Sequence, residues 1–452
     1  MKINPNIFRG YDIRGVYPNE LNDETAYIIG RSFADYVKSS PIIVGYDARL
    51  SSPSLRGNVI KGIIDQGIDV IDIGLCSTSC FYYTVGKYQS GGGIMITASH
   101  FEKKFNGFKF VFSGNMPLTK EQILEIKKIF LKNQFLPASP KGAIIKKNPA
   151  DEYVQAVRKA IKKEFKSLKV IMDAGNGTAG LYLEKVFSGT SLSVVPIFIE
   201  PDGNFPSHET DPKISENRKK LAEKIISEKA DLGFMFDGDA DRMGVLDRNG
   251  NLINFSLVLA IISEFMVRNS SQKKIVCEVR TSRVVNDWVE KAGGSVEISS
   301  CWTIPIKLKI KNNPQIVFGG ETSGHFIFPE LYATDDGIMS SLVFLQALSS
   351  REETIDEIIK KFNEKYFVLE ETNFKIDSKE KADGILENLE KKYAAQGAKI
   401  IKIDGLSAVL PGWWFNLRKS ESEPLIRLNL EANNKNLFEE KKEEIIRLIK
   451  NV

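Results

Sequence analysis

Ile42-Ile43-Val44-Gly45, then SLRGNVIKGIIDQ over 54–66, then IDVIDIG over 68–74: the reading of this stretch decides the fold. The first piece is a short apolar run closed by glycine, the pattern of a buried strand, and Asp47-Ala48-Arg49 follows it. Apolar residues recur at helical spacing through 54–66, and 68–74 reads as the next strand. Strand, turn, helix and strand in that order predict a mixed or parallel sheet with helices on its faces. The same grammar returns twice. KVIMDAGNGTAG at 169–180 is strand, turn and helix start, and LSVVPIFIEPDGNF at 192–205 supplies the next strand and loop. KKIVCEVRTSRVV at 273–285 is strand and turn again, followed by a helix and by GSVEISS at 294–300. A return at intervals of roughly 100 residues predicts three related α/β domains, although generic α/β grammar also produces weak likeness of this kind.

From about residue 366 the pattern changes. YFVLEETNFKID is followed by the charged helical stretch SKEKADGILENLEKKYAAQ. Strand-like AKIIKIDGLSAVL, GWWFNLRKS and PLIRLNLEA come next, and a helix over 436–450 closes the chain. The expected fold class is therefore α/β, three related domains with mixed sheets plus a smaller C-terminal α+β domain. The expected boundaries are 1–147, 148–250, 251–366 and 367–452.

Composition narrows the function. Of 452 residues, 42% are hydrophobic and 27% charged, which excludes a disordered tail or a coiled rod. Lys and Arg total 62 against 58 Asp and Glu, a net charge of +4. That balance carries no field of the kind nucleic-acid binders use, so no nucleic-acid partner is expected, while a local basic cleft for a small anion stays open. No apolar run reaches the ~18 residues of a membrane span. The start, MKINPNIFRGYDIRG, lacks the apolar core of a signal peptide, and the expected location is the cytoplasm. Four cysteines in a chain of this length do not make a disulfide scaffold. Cys76 and Cys80 are close in sequence, but Cys277 and Cys301 form no second close pair, and the three histidines are too few for a multi-His zinc site.

Five segments carry chemistry. Phe8-Arg9-Gly10-Tyr11-Asp12-Ile13-Arg14-Gly15 combines two glycines and two arginines, which suits a loop approaching an anion and equally suits a turn with solvated arginines. Gly91 to His100 is a strand ending in Thr97-Ala98-Ser99-His100, a hydroxyl and an imidazole at the end of a strand where α/β sheets bind ligands. Lys109 lies further along the same segment. A capping serine is the plain alternative there, and no GxSxG elbow supports a serine hydrolase. Asp237-Gly238-Asp239-Ala240-Asp241-Arg242 follows a strand, and its three carboxylates at spacing two can converge on one hard cation, Mg²⁺ or Ca²⁺. An EF-hand reading fails, because Arg242 and Arg248 occupy the places of the required glycine and acid. Gly319 to His325 sets Glu321, Ser323 and His325 among small residues, a loop able to read sugar hydroxyls, or a plain turn. Arg418-Lys419-Ser420-Glu421-Ser422-Glu423-Pro424 with Arg427 is a phosphate cradle or a charged hairpin.

In this order and at these separations, the five segments resemble the α-D-phosphohexomutase superfamily, from Phe8 to Arg427. The opening FRGYDIRG is most similar to the phosphomannomutase/phosphoglucomutase branch, and the GTDGIRG-like opening of phosphoglucosamine mutases is absent. The resemblance implies four domains around a central cleft, an isomerase activity, and interconversion of hexose 1-phosphate and hexose 6-phosphate. It implies that Ser99 carries a phosphoryl group and that Mg²⁺ is held by Asp237, Asp239, Asp241 and the Ser99 phosphate. Arg242 would approach the transferring phosphate. Glu321, Ser323 and His325 would read the sugar, and Arg418, Ser420 and Ser422 would bind phosphate, with Arg427 following. Tyr11, Arg14, Lys109 and Lys307 match residues around the substrate. A hexose 1,6-bisphosphate is the implied intermediate and activator, a phosphosugar the only implied partner, and the chain a monomer or dimer.

Three positions depart from the family pattern: Phe101-Glu102 after Ser-His, Glu421 where Asn is frequent, and Pro305-Ile306-Lys307 at the domain-three turn. They bear on substrate preference and rate. Three aspartates and a phosphoserine carry about −5, and one divalent cation leaves about −3, so Arg14, Lys109, Arg242, Lys307 and Arg418 are the candidates for the remaining positive charge. His100, Lys109, His325 and Arg14 are the candidates for general base. The competing readings are a phosphoglucosamine or N-acetylglucosamine-phosphate mutase and a catalytically weak phosphosugar-binding homologue. An alkaline-phosphatase-like hydrolase lacks the metal-binding histidines it needs.

Overall fold

A computed structural model of the chain describes residues 4–136, 138–420 and 425–450. The chain divides into two compact units. The first comprises Met1–Ile253, Lys307–Pro314 and Ser323–Arg351; the second comprises Asn254–Ile306, Gln315–Thr322 and Glu352–Val452.

Strand connectivity decides between true repetition and generic likeness. In the first repeat, Ile42–Tyr46 lies between Val70–Leu75 and Gly92–Ile96, parallel to both, and Phe105–Phe112 runs antiparallel to Gly92–Ile96. In the second, Lys169–Asp173 lies between Ser193–Ile197 and Leu232–Phe236, parallel to both, and Met243–Asp247 runs antiparallel to Leu232–Phe236. In the second unit, Lys274–Glu278 lies between Ser295–Ser299 and Ile316–Gly320, again parallel to both. The first strand of each set is central, and the next two flank it on opposite sides. The three α/β sheets are one design used three times. In each set the chain leaves the third strand through a loop that holds predicted chemistry: Ser99, the aspartate triplet, or Glu321.

The sheet of the first repeat is widened by the hairpin of Phe8–Arg9 and Asp12–Val16, which pairs with Phe105–Phe112 and sets Arg14 opposite Gly107. Helices Asp23–Val37, Ser52–Ile64 and Lys120–Lys132 contribute Ile29, Phe33, Val59, Ile63, Ile126 and Phe130 to one core with Ile94 and Phe108 from the sheet. The helix starts are encoded locally. Asn22 accepts a hydrogen bond from the Thr25 N–H, and Thr119 with Gln122 forms a reciprocal capping box. Two glycines allow the first two helices to touch backbone to backbone. A Cβ on Gly30 would stand 2.3 Å from the Val59 carbonyl oxygen, and one on Gly62 would stand 2.2 Å from that of Tyr27.

The C-terminal part of the second unit is a five-stranded antiparallel sheet. Its order is Phe367–Lys375, Leu425–Ala432, Trp413–Lys419, Leu406–Leu410 and Lys399–Ile401. Helices Lys379–Ala395 and Lys435–Lys450 pack on it, burying Tyr393, Ile445 and Ile449 against Trp413, Phe415 and Leu428. Two local readings differ from the sequence expectation. The helix start after KVIMDAGNG is a single 3₁₀ turn, Thr178–Leu181, followed by a helix of only five residues, Leu183–Phe187. Pro305-Ile306-Lys307 is not a turn but part of the helix Thr303–Asn312, because proline is tolerated in a first helical turn, where its missing N–H has no partner to lose.

The close approach predicts opposite outcomes within one helix. Gly62→Ala forces a methyl against a backbone oxygen and should cost about 1–3 kcal/mol. Gly57→Ala adds its methyl to open space and should stabilise the helix by up to about 1 kcal/mol. Scanning calorimetry of the two variants should move the transition containing this helix down for the first and not down for the second.

Candidate active site

Ser99 follows the Gly92–Ile96 strand by three residues, is buried, and has a φ of 51°. That left-handed conformation costs a non-glycine residue about 1–2 kcal/mol, so the surroundings have to hold it. The Ser99 N–H donates to Thr97 Oγ1 at 2.9 Å. The Ser99 carbonyl accepts from Arg49 Nη2 at 2.8 Å. Arg49 is fully buried and ties down the whole loop. Its Nη2 also donates to the Phe101 carbonyl at 2.6 Å, and its Nη1 to those of Glu102 and Phe105 at 2.9 and 3.0 Å. Its Nε donates to Asp47 Oδ2 at 3.1 Å, and Asp47 in turn accepts from Ser52 Oγ at 2.7 Å.

The aspartate loop leaves the end of Leu232–Phe236, with all three carboxylates buried. Ser99 Oγ donates to Asp237 Oδ2 at 2.7 Å. Asp239 Oδ2 accepts from Thr78 Oγ1 at 2.5 Å, Thr97 Oγ1 at 3.1 Å and Lys109 Nζ at 2.7 Å. Lys109 Nζ also donates to Asp241 Oδ2 at 2.5 Å. One oxygen from each aspartate lies within 4.8 Å of the others. Burial, and then the charges of Asp241 and Asp239, push the Asp237 carboxyl well above its ordinary range. Burial acts the same way on Asp241, but Lys109 and His325 overcome it and hold that group down. The ammonium of Lys109 is itself held far above its normal value, because Asp239 and Asp241 outweigh its burial. Oδ1 of Asp239 and Oδ1 of Asp241 are buried without a hydrogen-bond partner. Converging, hard, partly unsatisfied oxygen donors fit a divalent cation, which removes the repulsion and supplies the missing partner. The cluster is an Asp-rich metal-binding site.

The other predicted residues of the first unit fall around this cluster or near it. His100 Nδ1 is 3.3 Å from Ser99 Oγ, and burial with the charges of Arg242 and Arg14 pushes its pKa well below the usual value. Arg242 donates its backbone N–H to Asp237 Oδ1 at 3.1 Å, and its Nε is 3.8 Å from Asp237 Oδ2. His325 is paired with Arg242 by a backbone bridge. His325 Nδ1 is 3.2 Å from Asp335 Oδ2 and 3.7 Å from Asp241 Oδ1. Lys307 is buried, 2.6 Å from Asp335 Oδ1 and 3.9 Å from the centre of the Tyr82 ring. Arg14 donates to Asp12 at 2.5 Å and lies 4.1 Å over the ring of Phe101, one of the two departures after Ser-His. The other, Glu102, is exposed and pairs with Lys104 at 2.6 Å, so its charge faces solvent. Tyr11 has its ring 5.3 Å from Lys120 Nζ, and Ser323 is half-buried.

The second unit carries a separate cationic cluster. Arg418 and Arg427 face each other across the neighbouring strands Trp413–Lys419 and Leu425–Ala432. Both bind Glu371, through Arg418 Nη2 at 2.6 Å and Arg427 Nη1 at 3.1 Å. Arg280 reaches the same carboxylate at 3.1 Å and Glu278 at 2.6 Å. Ser420 Oγ accepts from Arg427 Nη2 at 3.4 Å. Glu321 is buried in this unit. Ser422 and Glu421 lie outside the described residues.

Sequence reading missed Arg49, Thr78, Asp335, Arg280 and Glu371. Arg49 had a signal, a charged residue just past a strand end, as did Arg280 in the turn after Lys274–Glu278. Thr78, Asp335 and Glu371 had none, since each depends on a partner far away in the chain.

An α/β enzyme with a hydroxyl set on a carboxylate metal site and a separate arginine cluster belongs to the chemistry of phosphate transfer. Models described as phosphoglucomutase/phosphomannomutase alpha/beta/alpha domains I, II and III match residues 5–137, 151–250 and 256–366. A phosphomannomutase of Vibrio cholerae is 35% identical, with 98% of each chain covered. A phosphomannomutase/phosphoglucomutase of Pseudomonas syringae is also 35% identical, over 94% of this chain and 91% of the relative. The crystal structure of a phosphoglucomutase/phosphomannomutase family protein from Burkholderia thailandensis superposes with a TM-score of 0.89 at 27% identity, covering 100% of this chain and 98% of that one. The chain belongs to the phosphoglucomutase/phosphomannomutase family of the α-D-phosphohexomutases. It is a phosphohexomutase, an isomerase. Among the described residues no helix is long and apolar enough to cross a membrane.

The Arg49 clamp generates a prediction. Arg49→Lys keeps the charge but cannot reach four carbonyls, so the Ser99 loop should shift. Misplacement of about 1 Å costs up to ~100-fold in rate. Steady-state kinetics should show kcat lowered by about tenfold or more with KM nearly unchanged, in protein whose circular dichroism matches wild type.

Proposed function

We propose that the chain interconverts the 1- and 6-phosphates of mannose, glucose or both, through phosphoserine 99 and a bound hexose 1,6-bisphosphate. The observation that carries this reading is the 2.7 Å contact of Ser99 Oγ with Asp237 inside the buried aspartate cluster. Asp237, Asp239, Asp241 and the oxygen on Ser99 are the ligands we assign to Mg²⁺. The ion supplies charge neutralisation at the transferring phosphoryl group.

The protein residues divide the remaining work. The Ser99–phosphorus bond breaks as the free sugar hydroxyl bonds to phosphorus, and that hydroxyl gives up its proton. In the second transfer Ser99 Oγ takes the phosphoryl group from the other position of the bisphosphate, so the enzyme ends each cycle phosphorylated. Arg242, beside Asp237, is suited to the transferring group, and Lys109 balances Asp239 and Asp241. Arg14 is a poor base because a guanidinium has no lone pair free to take a proton, and Lys109 holds its proton too firmly. His100 and His325 therefore remain the better candidates. Glu321, Ser323 and His325 are assigned to the sugar hydroxyls, with Tyr11 and Lys307 as further substrate contacts. Arg418, Ser420, Ser422 and Arg427 are assigned to the distal phosphate. The four segments 1–147, 148–250, 251–366 and 367–452 are the domains that supply these loops, and the cytoplasm is the proposed location.

Coupled assays with the 1-phosphates of mannose, glucose, glucosamine and N-acetylglucosamine, with trace bisphosphate activator, test the sugar assignment. Turnover of the amino-sugar phosphates alone would overturn it. Peptide mapping of purified protein should find a phosphoryl group on Ser99, and Ser99→Ala should lose several orders of magnitude in turnover. Near-wild-type activity in that variant would refute the covalent route. Excess chelator should abolish activity and Mg²⁺ restore it. Asp239→Asn, with one ligand charge removed, should raise the Mg²⁺ concentration needed for half-maximal rate.

A further inference from the structure

Glu371 is the least expected member of the arginine cluster. It stands in the strand Phe367–Lys375, where the regular register against Leu425–Ala432 breaks between Leu369 and Thr372. That irregularity releases Glu370 and Glu371 from the ladder. The carboxylate of Glu371 takes three guanidinium groups at once: Arg418 at 2.6 Å, Arg427 at 3.1 Å and Arg280 at 3.1 Å. Arg418 and Arg427 are cross-strand neighbours of like charge, an unfavourable pair on its own. Arg280 adds a third positive charge, only partly met by Glu278 at 2.6 Å. Glu371 is what makes this juxtaposition stable. Burial alone would push its carboxyl up, but Arg280 and Arg418 hold it down to about 2, so it is ionised at neutral pH.

A planar carboxylate taking several guanidinium hydrogen bonds offers the cluster the same kind of acceptor as a phosphate face. The three arginines with Glu278 and Glu371 leave one net positive charge among these five side chains. Without the charge of Glu371 they would leave two, the match for a phosphate of about −2.

On the reading of Arg418 as the phosphate cradle, we propose that Glu371 is an internal competitor for it: its carboxylate fills the arginine cluster and has to yield when the distal phosphate of the phosphosugar binds. The consequence is a deliberately weakened grip. A mutase has to let go of one phosphate and take up the other on the same sugar in every cycle, and a cradle of three arginines balanced by Glu278 alone would oppose that exchange. Competition lowers apparent affinity by the fraction of molecules in which the cradle is open, so a carboxylate engaged about nine-tenths of the time weakens binding about tenfold.

The test is calorimetric titration of the full-length chain with glucose 6-phosphate, in a Ser99→Ala background that prevents turnover. Glu371→Gln removes the competing charge at nearly constant shape and should lower Kd by about tenfold. Glu371→Asp keeps the charge but shortens its reach and should lower Kd by a smaller factor, which tests the idea even if the glutamine variant does not fold. A residue that merely props up the arginines would give the opposite sign, since its loss would loosen them and raise Kd. An unchanged or raised Kd in either folded variant overturns the proposal. Arg418→Ala in the same background should raise Kd by about tenfold or more. If it raises Kd while neither Glu371 variant lowers it, the competitor idea fails and the cradle stands. If it leaves Kd unchanged, the cradle fails and the competitor idea falls with it.

Discussion

Three carboxylates buried side by side repel one another, and the first unit is arranged around containing that repulsion. Nothing apolar can do so. Lys109 supplies one positive charge to Asp239 and Asp241, and the hydroxyls of Thr78 and Thr97 add neutral hydrogen bonds to Asp239. Asp237 receives the hydroxyl of Ser99 and the backbone N–H of Arg242. Even so, Asp237 is pushed toward its protonated form, and one oxygen each of Asp239 and Asp241 has no hydrogen bond. A buried site that is still short of positive charge after an ammonium and several donors have been spent on it is built to take a cation. The strained backbone of Ser99 belongs to the same arrangement, since the conformation pinned by Arg49 is the one in which its hydroxyl meets Asp237.

The threefold repetition explains how one chain can assemble such loops without evolving three solutions. In each repeat the chain enters the sheet at its centre, adds a strand on one side, returns to the other, and leaves the third strand through a loop. A parallel sheet offers its ligand-binding positions at the carboxyl ends of its strands. Repeating the connectivity repeats the position, and the sequence of each loop then specialises: hydroxyl and imidazole after Gly92–Ile96, carboxylates after Leu232–Phe236, Glu321 after Ile316–Gly320.

What was legible in the sequence follows from the range of the interactions. The buried strands and the amphipathic helices are properties of consecutive residues, so their pattern was visible. The aspartate triplet was legible because its three carboxylates sit at spacing two, which states convergence locally. Arg49 carried only the weak signal of a charge just past a strand end, and its role stayed hidden because its partners are backbone carbonyls of Ser99, Phe101, Glu102 and Phe105, which any residue supplies. Asp335 was hidden for a different reason: its partners Lys307 and His325 come together only in the fold, so no spacing announces them. The 3₁₀ turn after KVIMDAGNG shows the limit on the side of regular structure. The run of glycines that signals a turn also removes the side chains that would carry a helix forward.

Glu371 and Lys109 are mirror images in charge, each in its own unit. In the first, an ammonium stands among carboxylates that suit a cation; in the second, a carboxylate stands among guanidinium groups that suit an anion. A cluster of like charges large enough to hold a multivalent ligand is, by the same charge, a burden on folding, because the repulsion is present whether or not the ligand is bound. One opposite charge on a flexible side chain lowers that burden, and it weakens ligand binding by the same interaction it contributes to the fold. On the bisphosphate route proposed above, in which the bound intermediate has to change which phosphate it offers, that weakening serves turnover. Stability and release are then two consequences of a single ion pair, and neither can be tuned by mutation without moving the other.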